Sequence, residues 1–150
     1  MHRYTAQGRP DESDLRGGRF VMRTHDELIF PFSATTPSVA RTKLAAFLTV
    51  NHVSSPVIDD ALIVLSEMLA NAVCHGGPRP DGKLAVAWEL RPPVLELHVA
   101  DGGDGGSFEP QTFDEDSLSG RGLAIINKVA TRWWVDDFDG TSVHAEIALR

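Results

Sequence analysis

Glu67 and Asn71 stand four residues apart in the run Leu65-Ser66-Glu67-Met68-Leu69-Ala70-Asn71-Ala72-Val73-Cys74-His75. On a helix that spacing makes their side chains neighbours. A carboxamide oxygen is a neutral ligand suited to Mg²⁺, which takes few protein ligands and keeps water and phosphate oxygens in its octahedron. A carboxylate one turn earlier can orient or deprotonate a nucleophile beside a phosphate. The plain alternative is an exposed Glu and Asn on a polar helix face. A second group is Asp101-Gly102-Gly103-Asp104-Gly105-Gly106, directly after a strand pattern. A carboxylate at a strand end can accept from an exocyclic amine, which would select adenine, and the glycines allow close backbone approach. The alternative is an acidic turn. A third group is Gly120-Arg121-Gly122-Leu123, opening a helix whose unpaired N–H groups would suit phosphates, with Arg121 adding charge. Its alternative is an ordinary helix entry.

Several other chemistries fail on spacing. Gly77 to Lys83 spells G-x-x-x-x-G-K, but Leu84 stands where Ser or Thr must hold Mg²⁺, and the order is helix then strand. Gly120-x-Gly122 lacks the third glycine of a dinucleotide fingerprint. The Asp101 loop lacks the alternating acids of an EF-hand, with Gly103 in place of the second ligand. Cys74, His75 and His98 do not share zinc spacing.

These groups need elements to hold them. Ile58, Ala61, Leu62, Leu65, Met68, Leu69, Ala72 and Val73 fall on one face of a helix that Ser54-Ser55-Pro56 caps and Gly76-Gly77-Pro78 stops. Asp60, Glu67, Asn71 and His75 gather opposite, flanked by Ile63, Val64, Ala70 and Cys74, so the polar group is expected to be enclosed. Before it, Glu27 to Phe32 reads as an edge strand, Pro31 marking the edge. A helix opened by Thr36-Pro37-Ser38 then turns Val39, Leu44, Ala45, Phe47 and Leu48 inward. After it, Lys83 to Leu90 and Val94 to Ala100 read as strands, with Leu95, Leu97 and Val99 alternating with Glu96 and His98 as in a half-buried strand. Residues 102–119 form a loop and Leu123 to Ala130 a short helix. Trp133 to Phe138 and Thr141 to Leu149 make a hairpin, with Asp139-Gly140 its two-residue turn. The order predicts one α+β domain, a two-layer sandwich with a mostly antiparallel mixed sheet and helices on one face. Residues 1–24, polar and without period, read as a flexible tail, and residues 25–150 as the domain.

Composition narrows the partners. The 150 residues carry a net charge of −7, which argues against direct nucleic-acid binding. One cysteine cannot form an internal disulfide, no apolar run reaches membrane-span length, and no secretory segment opens the chain, so a cytoplasmic location is expected.

Taken together, Glu67-x-x-x-Asn71-Ala72-x-x-His75, Asp101-x-Gly103-x-Gly105, Gly120-x-Gly122-Leu123 and Gly140-Thr141 resemble the GHKL, or Bergerat, ATP-binding fold. That superfamily includes gyrase B subunits, histidine kinases and MutL. With its short single domain, Leu65-Ser66-Glu67 and Gly120-Arg121-Gly122-Leu123, the chain is most similar to bacterial anti-sigma factor serine-protein kinases; the resemblance covers roughly residues 26–149. It implies Asn71 on Mg²⁺, Glu67 as base or water-positioning carboxylate, and Asp101 on the adenine amino group. It implies Gly103 and Gly105 shaping the pocket, Gly120 and Gly122 facing phosphates with Arg121 and Leu123 beside them, Thr141 supporting Asp101, and His75 in the nucleotide site. Residues 106–119 would be the lid over ATP, but they carry Glu109, Asp114, Glu115 and Asp116 and no basic residue, a departure from the usual look. Negative charge beside a triphosphate is unfavourable unless it points outward or meets Mg²⁺.

The expectation is therefore an ATP- and Mg²⁺-dependent regulator. It would phosphorylate a serine of an anti-sigma factor antagonist, hold a sigma factor inactive, and form a homodimer as related regulators do. The alternative is a partner-switching module that binds ATP without transferring phosphate.

Overall fold

The computed structural model describes residues 24–103, 118–137 and 139–150. The expected tail, Gly105 and most of the expected lid therefore lie outside the described residues.

The elements run β1 (His25–Pro31), α1 (Thr36–Val50), α2 (Ser55–His75), β2 (Lys83–Arg91), β3 (Val94–Asp101), α3 (Leu118–Val129), β4 (Arg132–Asp136) and β5 (Thr141–Ala148). The strands form a five-stranded sheet in the order β1-β2-β3-β5-β4. Each described pairing is antiparallel. β1 is an edge strand, as Pro31 suggested, and that proline is its last residue.

Period-two alternation sets the two faces of the sheet. Leu84, Val86 and Trp88 of β2, Leu95, Leu97 and Val99 of β3, and Val143, Ala145 and Ile147 of β5 form one buried apolar face. Helix α2 lies on it, with Ala61, Val64, Leu65, Met68, Leu69 and Ala72 buried, and α1 and α3 pack against α2. Truncating a core leucine such as Leu65 or Leu97 to alanine would cost about 2–5 kcal/mol. This rigid layer fixes the direction of α2 relative to the ends of β3 and β5.

Both early helices carry proline in the first turn. The cap of α1 is Thr35, not Thr36; the Thr36 hydroxyl is buried and donates to the Pro31 carbonyl at 2.6 Å. Ser54 caps α2 by its backbone position, while its hydroxyl donates to the Arg150 carbonyl at 2.7 Å. Val39 was expected inward but is 45% exposed; Ala40, Leu44, Phe47 and Leu48 make the inner face of α1. Helix α3 starts at Leu118, so Gly120-Arg121-Gly122 lie inside its first turns and do not lead into it. Asp139 and Gly140 have φ of 58° and 99°, as a primed turn requires. The last β4–β5 pair is Asp136–Ser142, however, so the connection is longer than two residues.

The opposite face of the sheet differs from expectation. Glu96 and His98 were read as the wet side of a half-buried strand, yet Glu96, His98 and His144 are all buried. Register explains it, because His98 sits opposite His144, which in turn sits opposite Trp134. Arg91 donates to Glu96 Oε2, and Glu96 Oε1 lies 3.3 Å from His98 Nε2. His98 Nδ1 meets His144 Nδ1, so one ring must donate and the other accept. Trp134 stacks on His144 with 10° between the planes, and the Arg132 guanidinium sits 4.3 Å above the Trp134 ring. Burial holds the His98 pKa down at about 3 and lowers that of His144. Both rings are therefore neutral at pH 7.

Candidate functional site

Helix α2 is long because its run of 21 residues holds no interior glycine and only one proline, placed in the first turn. Glu67, Asn71 and His75 occupy one stripe of it, each about 6 Å of axial rise from the next. Asn71 is 4% exposed, Glu67 is half-buried and His75 is exposed. Ile63, Ala70 and Cys74 are exposed too, so enclosure of the stripe is confined to Asn71 and its core neighbours. The helix ends at Gly76, whose N–H donates to the Ala72 carbonyl at 3.0 Å.

The chain then runs along the end of β3. Asp101 has the same parity as Leu95, Leu97 and Val99, so its side chain enters the helix-covered layer, where it is 2% exposed. Two backbone N–H groups hold one carboxylate oxygen: Gly103 donates to Oδ1 at 2.6 Å and Gly77 reaches it at 3.5 Å. Gly102 N–H donates to the Gly77 carbonyl at 2.8 Å, tying the two segments together. Burial raises the Asp101 pKa, and the hydrogen bonds from Gly103 and Gly77 oppose the rise. Thr141 pairs with Asp101 in the ladder and is 1% exposed. Its hydroxyl donates to the Gly103 carbonyl at 2.9 Å, so it braces the loop and not the carboxylate itself.

Two buried polar atoms stand out. Asn71 Nδ2 and Asp101 Oδ2 have no hydrogen-bond partner among the described residues. Such groups cost about 1–3 kcal/mol each and are rare without a purpose. Both side chains keep bonding capacity to spare. An amide not pinned by a protein partner can offer its oxygen to a hard cation, and a carboxylate oxygen left over can accept from an amine. Among the described residues no group of three His, Cys, Asp or Glu side chains could hold a metal. A cation here would take Asn71 and ligand oxygens, not a protein cage.

The remaining expected site residues are placed unequally. Gly103 stands beside Asp101, while Gly105 lies outside the described residues. Gly120, Arg121 and Gly122 are in the first turns of α3. Leu123 is 1% exposed and belongs to the apolar core. Sequence reasoning took Gly76 and Gly77 as a helix stop and missed that Gly76 packs against the Asp101 carboxylate while the Gly77 N–H points to it.

A family model described as the histidine kinase-like ATPase domain matches residues 30–146. Among solved structures, the chain is similar to the RsbU and RsbW domains of Rv1364c from Mycobacterium tuberculosis. The TM-score is 0.65 at 19% identity, covering 83% of this chain and 32% of that one. It is similar also to the SiaB-SiaC complex from Pseudomonas aeruginosa. There the TM-score is 0.61 at 15% identity, covering 91% of this chain and 94% of that one. The chain thus spans about a third of the first structure's length. At these identities the likeness is one of fold, and no curated protein matches the sequence. With the family model covering residues 30–146 of 150, and a buried acid and amide arranged about the end of one helix, the chain belongs to the histidine kinase-like ATPase family.

Proposed function

We propose that this protein is an ATP-dependent regulator that transfers the γ-phosphoryl group of ATP to a serine of an anti-sigma factor antagonist and, in its other state, holds a sigma factor. The observation that carries the reading is the pair of unpartnered buried atoms, Asn71 Nδ2 and Asp101 Oδ2, at one end of α2. Membership of an ATPase family supports ATP as the ligand. The fold shared with an RsbW domain and with a SiaB-SiaC complex supports a protein partner of that regulatory kind.

Asp101 Oδ2 accepts from the adenine amino group while Oδ1 stays held by Gly103 and Gly77. Asn71 would hold Mg²⁺, which when bound offsets charge on the phosphates. Glu67, one turn before Asn71, accepts the proton of the serine hydroxyl as its oxygen bonds to γ-phosphorus and the bond to ADP breaks. Gly120, Arg121 and Gly122 lie in the first turns of α3, and the unpaired N–H groups at that helix start would suit the phosphates. His75, on the same stripe as Asn71, borders the site. Positioning and electrostatics supply most of the rate.

Transfer of labelled γ-phosphate to candidate antagonists tests the proposal. Glu67→Ala should reduce transfer about 10²–10⁴-fold, the range for a general base, with ATP binding largely kept. Normal transfer in that variant would sink the assignment. The second reading, a module that binds ATP and switches partners without transfer, draws on the acids Glu109, Asp114, Glu115 and Asp116 in residues 106–119. Mass spectrometry of partners after incubation with Mg-ATP separates the two.

A further inference from the structure

Gly76, which the sequence marked only as a helix stop, ends the helix that carries Glu67 and Asn71. A Cβ built on it would fall 2.6 Å from Asp101 Oδ2, 2.7 Å from Asp101 Cγ and 2.7 Å from the Ala72 carbonyl oxygen. No real Cβ tolerates those approaches, so one group must move. Ala72 is buried inside α2, whereas Asp101 stands at the end of its strand. On the other side of the carboxylate, a Cβ on Gly103 would fall 2.9 Å from Asp101 Oδ1 and 3.0 Å from Gly76 Cα. The two glycines thus flank the acid, one against each oxygen. The neighbouring turns leave little room for the slot to widen. Gly102 would place a Cβ 2.1 Å from the Pro78 carbonyl oxygen, and Gly140, at φ of 99°, would place one 2.5 Å from the Asp101 carbonyl oxygen.

We infer that Gly76 and Gly103 form a two-sided slot that aims the free oxygen of Asp101, and that Gly76 is the positioning residue that sets base specificity. This rests on the reading of Asp101 as the acceptor for the adenine amino group. The slot has a consequence for the site as a whole. The same helix end that carries Asn71 toward the phosphates fixes the acid that reads the base, so the two halves of the nucleotide are registered by α2.

The test compares ATP with purine riboside triphosphate, which lacks the exocyclic amine, by calorimetric titration in the full chain. The wild type should prefer ATP by about 10- to 100-fold, the worth of a hydrogen bond to a charged acceptor. Gly76→Ala should bring that ratio close to one while purine riboside triphosphate binds nearly as before. A merely structural role would weaken both ligands alike. If the wild type shows no preference, the reading of Asp101 fails. If it does and Gly76→Ala keeps the full ratio, or loses both ligands equally while folded by circular dichroism, the slot is refuted. Should Gly76→Ala not fold, Gly103→Ala presses the acid from the opposite wall. Collapse of the ratio there supports the slot, and an unchanged ratio overturns it.

Discussion

Two clusters of polar groups, each with buried members, lie on opposite faces of the same sheet, and they differ in how well they are satisfied. On the face that carries none of the described helices Arg91, Glu96, His98, His144, Trp134 and Arg132 form a chain in which each group meets the next. On the helix-covered face, at the end of β3, Asn71 Nδ2 and Asp101 Oδ2 are buried without a partner among the described residues. A satisfied network stabilises one arrangement of strands. An unsatisfied pair lowers the stability of the ligand-free protein and returns that free energy when a complementary ligand arrives. Burial alone therefore does not mark a site. Burial with bonding capacity left over does.

The sharpest way to break this contrast is at Asp101. Asp101→Asn replaces an acceptor by an amide that can turn a donor toward the ligand, and ATP affinity should fall about 10- to 100-fold by calorimetric titration. Nucleotide-free stability should move the other way. The raised pKa of Asp101 means that the folded state holds this proton more tightly than the unfolded chain, so stability falls as pH rises above the ordinary carboxylate range. The neutral amide removes that loss, and the ligand-free variant should melt no lower than the wild type at pH 7. A clear drop in melting temperature would place Asp101 with the structural cluster.

The histidine pair gives the next largest effect. Both pKa values are lowered, so the unfolded chain binds protons below about pH 6.5 that the folded protein refuses, His98 until near pH 3. Stability is then present above pH 6.5 and lost as pH falls. From pH 7 to pH 5, His98 alone should cost roughly 2 kcal/mol, read as a lower urea midpoint. His98→Gln should flatten that dependence and leave the preference for ATP intact. The smallest effect is expected at Arg132, whose side chain is 63% exposed above Trp134. Arg132→Ala should cost about 0.5–1 kcal/mol in urea denaturation, as exposed cation–π contacts do.

Much of the frame was legible in the sequence for local reasons. Proline in the first turn marked the starts of α1 and α2, and alternation marked Leu95, Leu97 and Val99 as core. The same alternation put the Asp101 side chain on the helix-covered side of β3, where it is buried. What escaped depends on neighbours that only the folded register supplies. Glu96 and His98 look like solvent-facing positions until His144 and Trp134 arrive from β5 and β4. Gly120-Arg121-Gly122 read as the entry to a helix, yet α3 runs through them from Leu118 although each glycine costs about 1 kcal/mol relative to alanine. Leu123 sits within a motif and still belongs to the core, because a helix beside a site must bury its other face.

The order of strands has one more implication. β5 follows every other described element in sequence but lies between β3 and β4 in the sheet, and its first residue is the partner of Asp101. During synthesis, then, Asp101 emerges some forty residues before the strand that braces it, by the numbering of Asp101 and Thr141. A nascent chain halted short of residue 141 lacks both the hydroxyl that holds Gly103 and the neighbour of β3. Nucleotide affinity in such a molecule would be a late property, gained only when the final hairpin slots home.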